Sequence, residues 1–480
     1  MKKALAGLGK FNKVIAISLP VVLSILLVRM QSLTYRELSP PECRVQKWDI
    51  PVSLTAENQD AFTQKQKVPL IQRLPVTCCQ GDTSCLDEVL YGQIAVKQFK
   101  IQNDALSQTR SLGGLVGGAS PRVEAALTKL KNEDPEKKAL ISAIAHSLEY
   151  LQTANAAAAY QNYQVAGITR DAAFGGLPLR ARVIKSLKRF RELLLKTNSA
   201  IELHQAILRE FVLYQSIGQD TKGSVLFTAY YEPLYAASRV PTAEYRYPVY
   251  RLPADLNSWS KPHPTRLELE GVDGLQGAKG KLRGLELFWF RDRLEPYLAQ
   301  IEGSARLQLA DGTQTTIGYA GNNAYNYKSI GRELANDGKL PLQGMTMPII
   351  LDYFQKHPQE LNIYIPRDRS FVFFQENHGE PAQGSINVPL TAERSIATDK
   401  SLMPPGALAL IRASIPFVNP TGKMEEHIVS RYVLDQDTGG AIKGAGRVDY
   451  FLGTGKLAGD RAGVTVSNGQ LFYLLLKSQN

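Results

Sequence analysis

Between Asp435 and Gly463 the sequence sets Asp435, Asp437 and Asp449 among eight glycines, with Lys443 and Arg447 close by. Glycine lets backbone approach backbone or ligand closely and supplies left-handed turns. That mixture suits tight loops that present carboxylates into a groove. A carboxyl held there can work as a general acid or base. The opposing reading is structural: Asp437 and Asp449 stabilise turns and pair with Lys443 and Arg447, as polar residues in glycine-rich turns often do. Other catalytic signatures are missing, with no His-Glu-x-x-His, no Gly-x-Ser-x-Gly and no phosphate loop. Gly453-Thr-Gly455-Lys-Leu-Ala-Gly459 departs from a dinucleotide loop, because its third glycine comes one residue late and no helical pattern is evident after it. Turn glycines account for it, and no cofactor is expected. Zinc is not expected either: Cys43, Cys78, Cys79 and Cys85 form no Cys-x-x-Cys pair and have no histidine nearby.

The elements that must hold these acids change character along the chain. From Pro121 to about Gln215 the pattern is helical. Val183, Ile184, Leu187, Phe190, Leu193 and Leu194 share one face of a helix over 182–196. Ser199 and Glu202 form a capping box for the next helix, which carries Ile201, Ile207, Phe211 and Leu213 and should stop at Gly218. After Gly223 short strands take over. Asp311-Gly312 between alternating runs predicts a hairpin. One helix, around Met347 to Gln355, interrupts strands that include 361–365 and 371–374, then 408–412 and 428–434. Many short strands with frequent Gly and Pro turns favour barrels over an open parallel sheet.

The net charge of +11 favours anionic partners, among them nucleic acid, anionic lipid and carboxylate-rich cell wall. The basic helix faces lack interleaved aromatics, which argues against nucleic acid. Lys2, Lys3, Lys10 and Lys13 precede an uncharged apolar run from Val14 to Val28, the order of an export signal. No A-x-A site follows, so the run is compatible with an uncleaved anchor as well as with a cleaved signal, and either way the rest of the chain is expected outside the cytoplasm. Residues 31–77 read as a polar tether, and Ser111 to Ser120 as a Gly-rich loop. Four cysteines in an exported chain point to disulfides, most simply Cys43 and Cys85 each bonding one of the vicinal pair.

The 435–463 stretch resembles the three-aspartate domain of the membrane-bound lytic murein transglycosylase A family, and further blocks match in order. They are Phe227-Thr228-Ala-Tyr230-Tyr231-Glu232-Pro233, Tyr247-Pro-Val-Tyr250-Arg251, Gln300 to Arg306, Tyr319 to Gly331, Phe371 to Phe374, Val388-Pro-Leu390, and Asp399 ahead of Pro404-Pro405-Gly406. Coverage runs from about 180 to 477. Glu302 and Ala305 stand where the family usually has Gln and Gly, and Ala324 where it usually has Gly. The resemblance implies a mainly β protein with N-terminal helices: a double-psi β-barrel with an inserted smaller β-barrel and a substrate groove between them. It places the substrate-binding insert at 236–383 and the barrel with the three-aspartate motif at 384–480; ahead of them the sequence itself divides into 1–30 (signal or anchor segment), 31–120 (tether and cysteines) and 121–235 (helices leading into the barrel).

By the same resemblance the catalytic acid falls on Asp449, with Asp437, Lys443 and Arg447 supporting it. Thr228, Tyr230, Tyr231, Ser304, Tyr319, Gly321, Tyr327 and Ser329 become candidate substrate contacts. The implied reaction is non-hydrolytic cleavage of the MurNAc–GlcNAc bond to 1,6-anhydro products, with one aspartate acting first as acid and then as base. Asp449 should then be partly buried with a raised pKa. The expected partner is the peptidoglycan glycan strand, not nucleic acid, and the enzyme should be an exported, periplasmic monomer attached to a membrane through its N-terminal segment. Two rivals remain at this point: a hydrolase with Glu302 or Asp437 as its second carboxylate, and a non-catalytic wall-binding module.

Overall fold

A computed structural model describes residues 71–73, 134–161, 178–197 and 199–477. The anchor run, the cysteines and the Ser111–Ser120 loop lie outside these residues. Among the described residues, no helix is long and apolar enough to cross a membrane.

Among the described residues, four helices precede the body of the fold: α1 (Pro135–Tyr150), α2 (Ala154–Gln161), α3 (Leu179–Lys196) and α4 (Ala200–Glu210). Asp134 caps α1 by accepting from the Glu136 amide at 3.0 Å, and Pro135 fills the first helical position, where a missing N–H costs nothing. The apolar face of α3 buries Val183, Leu187, Phe190, Leu193 and Leu194, as its 3.6-residue period requires. Ser199 caps α4 through the Glu202 amide at 3.2 Å. That helix ends at Glu210, well before Gly218. Phe211–Ser216 is instead a fully buried strand, β2, and Ile201 is exposed. The aromatic and β-branched run Phe-Val-Leu-Tyr pairs with the C-terminal strand, and that pairing overrides the helical spacing read from the sequence.

The main sheet is built from β1 (Ile71–Arg73), β2, β3 (Val225–Glu232), β10 (Ser395–Ala397), β11 (Leu408–Val418), β12 (Met424–Asp437), β13 (Arg447–Thr454) and β14 (Val466–Leu476). Its order closes on itself: β14, β11, β12, β10, β13 and β3 return to β14 as a six-stranded barrel, while β2 and β1 extend beside it. β14 serves both jobs along one edge, with Val466–Gly469 pairing β3 and Phe472–Leu476 pairing β2. Two pairings are parallel, β10 with β12 and β13 with β3, inside an otherwise antiparallel barrel. That mixed order is what the implied double-psi topology calls for. Its core takes residues from every barrel strand and from α1, α3 and α4. Gln436 donates to Ala143 O and Ser147 Oγ at 2.9 Å, and Arg431 pairs with Glu136 at 2.9 Å, so α1 is bonded to the barrel as well as packed on it.

The chain leaves the barrel at Glu232 and builds a second sheet before returning. It contains β4 (Leu234–Ser238), β5 (Tyr247–Tyr250), β6 (Glu286–Phe290), β7 (Ser304–Leu309), β8 (Gln314–Asn322) and β9 (Val372–Glu376), in the order β5-β6-β4-β7-β8-β9. A bridge between Arg251 and Phe374 draws the two edge strands together. The Asp311-Gly312 hairpin forms as expected. The expected single helix is instead five: α5 (Arg266–Glu270), α6 (Leu294–Glu302), α7 (Ile330–Asn336), α8 (Met347–Lys356) and α9 (Leu361–Tyr364). The last of these replaces the strand expected over 361–365. Leu361, Tyr364 and Ile365 are buried at helical spacing against Phe354 and Leu334. A short run of apolar residues cannot by itself distinguish the two periods.

The Gly453–Gly459 stretch also differs from expectation. β13 runs through two positive-φ glycines, Gly453 and Gly455, into a short helix, α10 (Lys456–Ala462). Gly459 stands where a Cβ would meet the Tyr231 ring at 2.6 Å, so the helix packs flush on β3 only because that residue is glycine.

Candidate active site

Asp449 is the third residue of β13, with Ala397 of β10 on one side and Thr228 of β3 on the other. Alternation along the strand turns Val448 and Tyr450 into the barrel core and leaves Asp449, half-buried, on the opposite face. The parallel register sets Thr228 directly beside it, and the Thr228 hydroxyl bonds Asp449 Oδ1. Two residues on, Tyr230 comes opposite Phe451, and their tilted rings lie 5.2 Å apart.

Asp437 ends β12 beside this pair. Its carboxylate accepts from Tyr230 Oη at 2.7 Å, and from the Ser385 and Thr438 amides at 2.8 Å. Burial pushes the Asp437 carboxyl above the usual range, opposed by these hydrogen bonds and by the Lys400 charge. Burial likewise raises Asp449. The Arg447 charge and the Thr228 hydrogen bond pull the other way, and the Asp437 charge adds to the rise. The expectation of a partly buried, elevated acid at Asp449 is met. Such a group holds a proton closer to neutrality than a free carboxyl and can release and recover it.

A third carboxyl arrives from the second sheet. α6 ends at Glu302, and Gly303 in the left-handed region (φ 75°) turns the chain into β7. Glu302 Oε2 accepts from the Tyr231 amide at 3.2 Å. Burial, opposed by the Tyr231 hydrogen bond and helped by the Asp449 charge, pushes it up to about 8. The negative fields of Asp437, Asp449 and Glu302 all act on the Tyr230 hydroxyl, after the larger effect of its burial. Thus Tyr230 marks the point where β12, β13 and α6 converge. The insert meets the barrel again where Met347 N, at the start of α8, donates to Gly463 O, just past α10, at 3.1 Å.

The remaining candidates divide. Ser304, buried, opens β7 directly after the Gly303 turn. Tyr327 and Ser329 bond each other beside Tyr297 and Asp368, with Tyr327 pushed by burial up to about 12 and also feeling Glu302. Ser329 additionally caps α7 through the Arg332 amide at 3.3 Å. Tyr319 on β8 is 51% exposed, the right state for a ring that stacks on a sugar. Gly321 lies at a β8 irregularity where a Cβ would meet Leu252 at 2.6 Å, so its requirement is close packing. Ala324 adopts φ 63°, which accounts for the glycine usual at that position. Arg447 donates to Val448 O at 2.9 Å while its charge acts on Asp449. Lys443 is exposed and its charge acts on Asp399, so the turn-pairing of Lys443 with Asp437 or Asp449 is not formed.

A second cation beside the aspartates is Lys400, which sequence reasoning missed. Its ammonium bonds the Asp435 carboxylate and the Asp437 carbonyl. Asp435 is fully buried and also accepts from Thr398 at 2.7 and 3.0 Å and from Tyr473 at 2.6 Å. A lysine directly after Asp399 was the available signal, but nothing local distinguishes it from any surface lysine. Among the described residues, no group of three or more His, Cys, Asp or Glu is arranged to hold a metal ion. A surface hollow of about 430 Å³, lined by Asp220, Lys222, Arg412 and Gln470, includes none of the site's carboxylates.

Comparison with known proteins places this geometry in context. Residues 226–375 match the MltA specific insert domain family, and residues 394–475 match the 3D domain family. The chain is 31% identical over 272 residues to the membrane-bound lytic murein transglycosylase A of Escherichia coli K12, covering 56% of this chain and 70% of that one. It is 32% identical to the Vibrio cholerae protein of the same name, covering 54% and 68%. A crystal structure of a membrane-bound lytic murein transglycosylase from Agrobacterium tumefaciens aligns with a TM-score of 0.55 and 26% identity, covering 71% of this chain and 93% of that one. E. coli MltA with bound chitohexaose aligns with a TM-score of 0.53 and 26% identity, covering 69% and 89%.

Proposed function

This chain belongs to the membrane-bound lytic murein transglycosylase A family, and from that premise we propose that Asp449 is the single acid with which it opens glycan strands. The protein is a peptidoglycan lytic transglycosylase, cleaving the strand without water. The observation that carries the Asp449 assignment is its position: half-buried on the outer face of β13, raised by burial, and flanked by Thr228.

The residues fit a two-step proton cycle. Asp449 Oδ1 is held by Thr228, leaving Oδ2 for the bridging oxygen after the N-acetylmuramyl ring. The protonated acid gives its proton to that oxygen as the C1–O bond breaks. The 6-hydroxyl of the same sugar then attacks C1 and closes a 1,6-anhydro ring, and the Asp449 carboxylate takes the hydroxyl's proton. One group used twice suffices, whereas a glycosidase needs a second carboxylate to activate water or to attack carbon. Asp437, already engaged by three hydrogen bonds, supports Asp449 through its charge and holds Tyr230. Arg447 keeps the resulting Asp449 anion from becoming too costly. Thr228, Tyr230, Tyr231, Ser304, Tyr319, Tyr327 and Ser329 line the approach from the two sheets, and Gly321 shapes it.

The partner is the glycan strand of peptidoglycan, a reading supported by the chitohexaose held by the E. coli relative. The insert at 236–383 as the substrate-binding part is supported by the second sheet, whose strands span Leu234 to Glu376. A periplasmic location with membrane attachment is supported by the basic-then-apolar N-terminus and by the relatives' name.

Mass spectrometry of sacculi digested by the protein tests the reaction. Muropeptides one water lighter than hydrolysis products, lost in Asp449→Asn, are expected. Reducing-end products instead would make the enzyme a hydrolase, and full activity in Asp449→Asn would remove that residue from the chemistry.

A further inference from the structure

Glu302 is unlike the site's aspartates in what surrounds it. It is the last residue of α6, so its carboxyl lies at the negative end of the helix dipole, where an anion is disfavoured. Its hydrogen bond uses Oε2 alone, with the Tyr231 amide at 3.2 Å as donor. The charge of Glu302 reaches the hydroxyls of Tyr230 and Tyr327, and that of Asp449 reaches Glu302.

No cation offsets it. The charged and titratable groups on the elements packed against α6 are Tyr230, Tyr231 and Glu232 on β3, Arg306 on β7, Tyr247 and Tyr250 on β5, Arg266, Glu268 and Glu270 on α5, Arg332 and Glu333 on α7, Asp352, Tyr353 and Lys356 on α8, and Tyr364 on α9. Of its cations, Arg306 is bound to Glu232 at 3.3 Å, Arg266 to Glu270 at 3.3 Å and Lys356 to Asp352 at 2.7 Å, while Arg332 is exposed, and none of them is among the groups that act on Glu302. Asp449 faces Glu302 from β13, and Tyr235 on β4 feels both Glu302 and Glu295 from the same helix. Glu302 therefore stands among phenols and carboxyls in a partly buried cleft. The neutral acid fits such a place, having one O–H to donate, while the anion does not.

We propose that Glu302 binds the glycan as a neutral carboxylic acid, donating a hydrogen bond to a sugar oxygen across the cleft from Asp449, so that its ionisation weakens substrate binding. The inference rests on the glycan-cleaving function above, but its role is in binding and takes no part in the proton cycle of Asp449. A group pushed by burial up to about 8 keeps its proton at neutral pH and loses it in mild alkali. The sign follows: affinity is full below that value and falls as pH rises through it.

The test is chitohexaose binding by calorimetry to Asp449→Asn, which removes turnover, between pH 6 and pH 9.5. Affinity should fall roughly tenfold over that range as the donor is lost. In the double variant with Glu302→Gln, whose amide keeps a donor and cannot ionise, affinity should stay constant. Glu302→Ala in the same background should bind weakly at every pH. A fall that persists with Glu302→Gln, a flat profile in Asp449→Asn alone, or no binding at pH 6 would overturn the proposal. If wild-type and Asp449→Asn proteins cleave sacculi equally, the assignment of Asp449 fails by itself, and the binding profile still decides Glu302.

Discussion

The barrel and the second sheet solve different problems with the same number of strands, six each. The barrel is closed by continuous pairing, and its acids sit on strand positions fixed by register: Asp449 between Ala397 and Thr228, Asp437 at the end of β12. The second sheet is drawn shut by the single Arg251–Phe374 bridge, and its site residues come from ends and turns: Glu302 at a helix C-terminus, Ser304 after a left-handed glycine, Tyr327 in a loop. Rigid strands hold the group that must be placed most accurately for chemistry. Adjustable ends hold groups that meet a long polymer. Chemistry should therefore fail abruptly when the barrel is altered, and binding should weaken by degrees when the second sheet is altered.

The sharpest way to break that contrast is Asp449→Asn, which should lower turnover by at least ~10³-fold, as loss of an essential acid–base group does, with circular dichroism unchanged. A modest loss would mean that the barrel does not hold the acid. Next, Asp435→Asn should cost about 3–5 kcal/mol, because the Lys400 ammonium is left half-buried without its carboxylate. Denaturant unfolding would measure it, and a barrel as stable as wild type would refute the role of this buried pair. On the other sheet, Tyr319→Ala removes an exposed ring worth about 1 kcal/mol of stacking. KM should rise roughly fivefold with kcat retained, and an equal fall in kcat would erase the division of labour.

The smallest effect concerns stability. Burial pushes Glu302 up to about 8, from the 4.5 ordinary for a glutamate, so the folded state holds a proton the unfolded chain has released between those values. The wild type should lose stability as pH rises through that window, and Glu302→Gln should not. A melting temperature higher for Glu302→Gln by roughly 2–4 °C at pH 8, and equal at pH 4, is the expected reading. Equal values at both would mean that the cleft solvates the anion.

Much of this could be read in the sequence where a residue's role is set by its neighbours along the chain. The face of α3, the Asp311-Gly312 hairpin and the acids of 435–449 are of that kind. What escaped was set by distant partners. Phe211–Ser216 continues a helical spacing, yet becomes a strand because β14 offers an edge. Residues 361–365 have an apolar run short enough for either period, and the pocket beside Phe354 chose helix. Lys456–Ala462 holds too few apolar residues to announce a helix, and its fit depends on Tyr231 over Gly459. Lys400 became legible only when β10, β12 and β14 met around Asp435. Glu302 was visible as a departure from the family pattern, but its surroundings of phenols and acids were not.

The union of α1 with the barrel bears on where this protein can be cut. Leu140, Ile141, Ala143, Ile144 and Leu148 belong to the same core as the barrel strands, and Gln436 and Arg431 reach across to bond the helix. The matched family segments begin only at residue 226 and omit this helix altogether. A fragment trimmed to those segments would carry Asp449 and its neighbours on a barrel with one wall stripped off, its greasy lining open to other molecules. The smallest soluble unit should therefore begin ahead of Pro135, and recombinant pieces started later should clump.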